Sequence, residues 1–227
     1  MDTPDPHQPV QSPSPQPAFL ISWRESWALA LITVAIGLTY LWQLSVPPEA
    51  VFDGALSGQA LAEGRWWTLL TSMFLHGGLS HLLMNLSALL PFGLIVGRRM
   101  GGDLRGQLAL LALYFGAGLS GDLVYLLLAG RDAGPVVGAS GAIFGLWGAV
   151  VRLPRDRGVW PLVSPQVARA LPGPIIANLI VTLAFGAVSG LGGEGAGGIA
   201  WQAHLGGFLF GLLAVGVLMP RRQVSGA

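Results

Sequence analysis

The chain has 227 residues, of which 52% are hydrophobic and only 10% charged; in a soluble domain about a quarter of residues carry charge, so this composition belongs in a bilayer. Its basic residues, all arginine, number 12 against 11 acidic ones, and a formal net charge of +1 gives no electrostatic reason to expect nucleic acid as a partner. Cysteine is absent, which excludes disulfides and thiolate metal ligands and leaves the redox compartment open.

Residues 1–22 hold Pro4, Pro6, Pro9, Pro13, Pro15 and Pro17 among Ser, Gln and Asp. Such a mixture cannot bury a core, and it predicts a disordered cytoplasmic tail without the basic n-region of a signal peptide. Apolar stretches follow at 25–46, 80–97, 104–129, 139–153, 170–189 and 199–219, judged against the ~20 residues that cross about 30 Å of hydrocarbon. These predict an all-α membrane protein: one six-helix domain over 23–220, then a short cytoplasmic tail over 221–227. Six spans return both termini to one side. Arg24, Arg98, Arg99, Arg105, Arg152, Arg155, Arg157, Arg169, Arg221 and Arg222 then share a face, leaving Arg65 and Arg131 opposite. The bias of arginine toward the inner face places that side in the cytoplasm; the membrane itself is expected to be a plasma membrane.

The connection over 47–79 is long and only half polar, and Trp66 and Trp67 suit an interfacial position. It is expected to rest in the outer leaflet as a membrane-associated first external loop. From Ser140 to Leu153 the fourth span is only about fourteen residues, roughly 21 Å of helix against the ~30 Å core. With Leu153 at the inner interface, Ser140 lies roughly 9 Å below the outer one and needs a water-filled cavity. Gly141, Gly145 and Gly148 recur along one side of this span, and Gly207 and Gly211 form a G-x-x-x-G in the sixth. Small residues let backbones approach closely, so the fourth and sixth helices are expected to pack together.

That packing brings a nucleophile to a base. Gly138-Ala139-Ser140-Gly141 opens the fourth span and His204 opens the sixth. A serine hydroxyl is a weak nucleophile until a neighbouring imidazole takes its proton, and an ionisable side chain at membrane depth is a functional candidate. Phe144, one turn below Ser140, can pack under the imidazole. His81 and Asn85 share one face of the second span and His76 precedes them; these are donors for an oxyanion, together with the Ser140 N–H and the positive end of the fourth helix. The competing metal reading of the histidines lacks the i, i+4 spacing and the Glu of H-E-x-x-H, so neither metal nor cofactor is expected. Asp122, within an apolar span, reads either as a third partner of His204 or as a local hydrogen-bonding group. The six glycines of 190–198 read as a cap over the cavity or as a slack turn.

In combination, His76-(x)4-His81-(x)3-Asn85, Gly138-Ala139-Ser140-Gly141-Ala142-Ile143-Phe144-Gly145 and Ala203-His204-Leu205-Gly206-Gly207-(x)3-Gly211 resemble the rhomboid intramembrane proteases, over nearly everything after the tail. The resemblance implies a six-helix bundle, a Ser140/His204 dyad and an oxyanion site at His81, Asn85 and the Ser140 amide. It also implies hydrolysis of peptide bonds in or beside transmembrane helices of other membrane proteins, which reach the site past a movable fifth helix. Three positions depart from the family pattern: Thr68 stands where Arg is usual in the first external loop, Gly97 where Glu is common, and Phe144 where Tyr is frequent. Rivals of another class are a transporter and a non-catalytic binder that holds client helices in the same groove.

Overall fold

A computed structural model describes residues 26–130, 134–154, 158–191 and 199–219, with side chains of 185–191 excepted. The expected tails over 1–22 and 221–227 lie outside these residues, as do Arg24, Arg131, Arg155, Arg157 and positions 192–198 of the glycine-rich segment. Within them the chain forms α1 (Trp27–Gln43), α2 (Pro48–Phe52), α3 (Gly58–Ala62), α4 (Thr68–Thr71), α5 (Leu79–Met100), α6 (Leu104–Ala129), α7 (Ser140–Val151), α8 (Pro165–Ala170), α9 (Pro172–Leu191) and α10 (Trp201–Leu218). Among the described residues the extended pairing is an isolated antiparallel bridge between Leu56 and Val136. The fold is that of an all-α membrane protein. By length and composition α5, α6, the run Pro165–Ala184 and α10 can cross a membrane, while α1 and α7 are shorter apolar helices.

α7 sits at the centre. Gly141, Ala142, Ile143, Gly145, Leu146, Gly148, Ala149 and Val151 are buried along its 12 residues, the all-round apolar pattern of a helix enclosed by others. Around it, α1 contributes Leu29, Ile32 and Ile36, α5 contributes Leu82, Leu89 and Val96, and α6 contributes Leu110, Leu113 and Tyr114. Since lipid tails are as apolar as these side chains, burial alone does not hold such helices together; close packing and interhelical hydrogen bonds do. The closest approaches are at glycine. A Cβ on Gly207 would overlap the Gly141 carbonyl, and one on Gly211 would overlap the Gly145 carbonyl. On the other flank of α10, Ser120 Oγ donates to the Gly206 carbonyl at 3.1 Å, and a Cβ on Gly121 would lie 2.6 Å from the Ala203 carbonyl oxygen. α10 is thereby wedged between α6 and α7.

The segment between α1 and α5 is not slack. Arg65 donates to the Asp53 carbonyl at 3.0 Å and pairs with Glu63 at 2.8 Å; Thr71 Oγ1 donates to the Gly54 carbonyl at 2.7 Å. Trp66 and Trp67, expected at the interface, both project outward, and Arg65, on the other side of the Trp pair from Thr68, braces the backbone of the loop. At the far end of the bundle, Arg99 donates to the carbonyls of Pro154 and Gly158. Arg152 donates to the Leu212 carbonyl at 2.8 Å and the Trp160 carbonyl at 2.9 Å, closing the ends of α5, α7 and α10 with charge-assisted bonds.

Candidate functional site

The site lies at the N-terminal ends of α7 and α10, where the glycine contacts bring the two backbones together. Ser140 is the first residue of α7 and His204 lies in the first turn of α10. His204 Nε2 stands 2.8 Å from Ser140 Oγ, a distance at which a hydroxyl donates to an imidazole nitrogen. His204 is 2% exposed. Phe144 lies flat on its ring, with centroids 4.3 Å apart and planes within 7°, so one face of the imidazole is fixed by stacking.

The turn into α7 needs Gly138. Its φ of +127° favours glycine, and a Cβ there would lie 2.9 Å from both Cε1 and Nε2 of His81 and 3.9 Å from Asn85 Nδ2. His81 and Asn85 thus line the turn two residues before Ser140. Gly138 N–H donates to the Ser72 carbonyl at 2.8 Å, and the Leu56–Val136 bridge holds the same turn to the first loop. Asn85 is buried, and one of its amide N–H groups donates to the His81 carbonyl at 2.9 Å. Gly77 N–H approaches His81 Nδ1 at a long 3.4 Å. That contact uses the Nδ1 lone pair and leaves Nε2 as the protonated, donating nitrogen beside Gly138.

His76 is held differently. Its backbone N–H donates to Gln43 Oε1 at 3.0 Å, and Gln43 Nε2 donates to its carbonyl at 2.8 Å. Its ring stands edge to face with His81 at 5.2 Å, and Nδ1 faces the Phe74 carbonyl at 3.1 Å. Gly141, Gly145, Gly207 and Gly211 form the close α7–α10 contact rather than any polar part of the site.

Asn178, which no motif in the sequence marks, meets the imidazole from its other edge. Its Oδ1 lies 2.7 Å from His204 Nδ1, the ring nitrogen opposite Ser140. Asp122, the alternative third partner, is buried with Oδ2 unpartnered, and both ring nitrogens of His204 are already engaged by Ser140 and Asn178. A lone amide in an apolar stretch is a signal in itself, but nothing along the chain ties position 178 to position 204.

A helical membrane protein with a serine hydroxyl set against a buried histidine is the class that fold and site define. The family model described as the Rhomboid domain matches residues 63–221, and the chain belongs to the rhomboid family of intramembrane proteases. Rhomboid protease GluP of Bacillus subtilis (strain 168) is 32% identical over 175 residues, covering 76% of this chain and 30% of that protein. RHOMBOID-like protein 5 of Arabidopsis thaliana is 31% identical over 170 residues, covering 75% of this chain and 50% of that protein. The chain therefore spans half or less of the length of these curated relatives. Inactive RHOMBOID-like protein 8 of the same plant is 36% identical over 99 residues, covering 43% of this chain and 26% of that protein. The chain is an integral membrane protein of a family whose proteases act on membrane-protein substrates within the bilayer.

Proposed function

We propose that this chain is an intramembrane serine endopeptidase with Ser140 as nucleophile and His204 as general base and then general acid. The observation that carries the reading is the 2.8 Å approach of Ser140 Oγ to His204 Nε2 at the head of α7. In the forward step Oγ bonds to the carbonyl carbon of the scissile peptide while its proton passes to Nε2. The oxyanion so formed is met by the Ser140 N–H at the positive end of α7, by His81 Nε2–H and by the second N–H of the Asn85 amide. Collapse breaks the C–N bond, and the leaving amine takes the proton from His204. Water then attacks the acyl ester, giving its proton to Nε2, and the acid product leaves with Ser140 regenerated. No metal or cofactor enters these steps.

The substrates are transmembrane helices of other proteins, cut in or beside the span where a carbonyl is exposed. The domain occupies 23–220 as six spans, with tails over 1–22 and 221–227 in the cytoplasm, the membrane a plasma membrane, and the site opening to the external side. Carriage of both Ser140 and His204 separates this reading from a non-catalytic binder or a transporter, which has no use for an activated hydroxyl.

The test is labelling of the purified protein by a serine-directed fluorophosphonate, with cleavage of a reconstituted transmembrane substrate. Ser140→Ala should lose both and His204→Ala nearly so. Asn85→Ala should retain measurable cleavage, lowered at most by roughly 10²–10³-fold, the magnitude for one oxyanion donor. His81→Ala should fall in the same range. Cleavage by a Ser140→Ala protein would return the assignment to a binder or a transporter.

A further inference from the structure

We propose that Asn178 is a positioning residue for the reaction, setting which nitrogen of His204 faces Ser140. This rests on the serine-protease reading above. A neutral imidazole carries one proton, on Nδ1 or on Nε2, and only the Nδ1–H form leaves Nε2 able to accept the Ser140 hydroxyl proton. Asn178 Oδ1 accepts only, and at 2.7 Å from Nδ1 it selects the Nδ1–H form. Phe144 fixes the plane of the ring; Asn178 fixes its edge. Ser140, His204 and Asn178 then form one directed chain of donors, from hydroxyl to imidazole to amide oxygen.

The contact also strengthens as the reaction proceeds. When Nε2 takes the serine proton, the ring becomes an imidazolium and its Nδ1–H bond to Asn178 becomes charge-assisted. An interaction stronger in the transition state than in the ground state raises kcat rather than substrate affinity. A helix-bridging amide with no chemical role makes the opposite forecast, since its loss lowers stability and leaves turnover alone.

The position of Asn178 adds a consequence. α9 lies at the periphery: Ile175, Ile176, Leu179, Ile180 and Leu183 are all exposed, and Pro174 is the buried member among its described side chains. A displacement of α9 that carries Asn178 beyond hydrogen-bond reach of Nδ1 frees the edge of the imidazole. The reactive tautomer of His204 is thus favoured while α9 is docked.

Asn178→Leu, which keeps the side-chain shape and removes the acceptor, tests this directly in the full chain in detergent and in vesicles. The expected loss is about 10²-fold in kcat with KM nearly unchanged, less than the ~10⁴ for disabling a charged triad aspartate, because a neutral amide stabilises imidazolium less. Fluorophosphonate labelling of Ser140 should slow in parallel, with melting no lower than wild type. Asn178→Asp, which restores an acceptor, should recover turnover to within about tenfold of wild type. A folded Leu variant that labels and cleaves at the wild-type rate overturns the inference, as does an Asp variant no faster than the Leu variant. Should the Leu variant melt early, Asp against Ala decides: Asp faster supports the role, and equal rates overturn it. If wild type itself is not labelled at Ser140, the protease reading falls and this one with it; if wild type labels and all Asn178 variants match it, this one falls alone.

Discussion

Two of the histidines, His76 and His204, are each 2% exposed, yet burial serves them differently. His204 spends both ring nitrogens on defined partners, whereas His76 has an unpartnered Nε2. Burial, reinforced by His81 beside it, holds the His76 imidazole at about 4 instead of 6.5, with the Phe74 carbonyl pulling weakly the other way. Between those values the unfolded chain binds a proton that the folded chain refuses. The contribution to stability is therefore fully present above about pH 6.5 and is lost as pH falls toward about 4. Melting in detergent should drop on acidification, and His76→Leu should remove up to roughly 3 kcal/mol of that pH-dependent loss. An identical acid slope in the variant would show that His76 does not carry the effect. Gln43 clamps the backbone of His76 on both sides, so the residue also pins α1 to the turn into α5.

At the scale of elements, the α7–α10 pair is where sequence spacing and structure agree most closely. Gly141, Gly145, Gly207 and Gly211 repeat every four residues, which places them on one helical face, and there the carbonyls of one helix occupy the space of the missing Cβ atoms of the other. A rigid backbone atom cannot yield as a side-chain tip does. Gly211→Ala should therefore lower stability by about 2 kcal/mol or more and slow labelling of Ser140, since overpacking must part the helices that carry the site. Gly37→Ala on α1 is the contrast: nothing lies within 4 Å of a Cβ there, and the gain in helix propensity should leave melting unchanged or raise it by up to about 1 kcal/mol. Equal melting of the two variants would mean that the α7–α10 contact is not tight in the membrane. The first loop was less legible. With Thr68 at the position expected for arginine, nothing in the sequence indicates that Arg65 reaches the Asp53 carbonyl twelve residues back.

For the whole molecule, the described arginines separate by end. Arg98 and Arg99 close α5, Arg152 follows α7 and Arg169 precedes α9, while Arg65 lies in the loop that holds the opposite end of α7. If that asymmetry sets orientation, reporter fusions after Arg105 and after Arg157 should read cytoplasmic, and one within 47–65 should read external. The reverse pattern would invert the proposed placement of the site.

Sequence alone indicated the membrane class, the position of each apolar helix to within a few residues, the α7–α10 contact and, through the motifs around them, the approach of His204 to Ser140. Hydropathy and glycine spacing are local properties, written in consecutive residues and readable without knowing what lies across the bundle. The third neighbour of His204 was of another kind. Asp122 and Asn178 are both single polar residues in apolar stretches, and both sit far from position 204 along the chain. Which of them meets Nδ1 depends on the rotation of α6 and α9 about their axes and on the way α10 is wedged against α6 and α7. Only the tertiary structure decides that, because helix rotation is fixed by packing against neighbours and by no pattern within the helix itself.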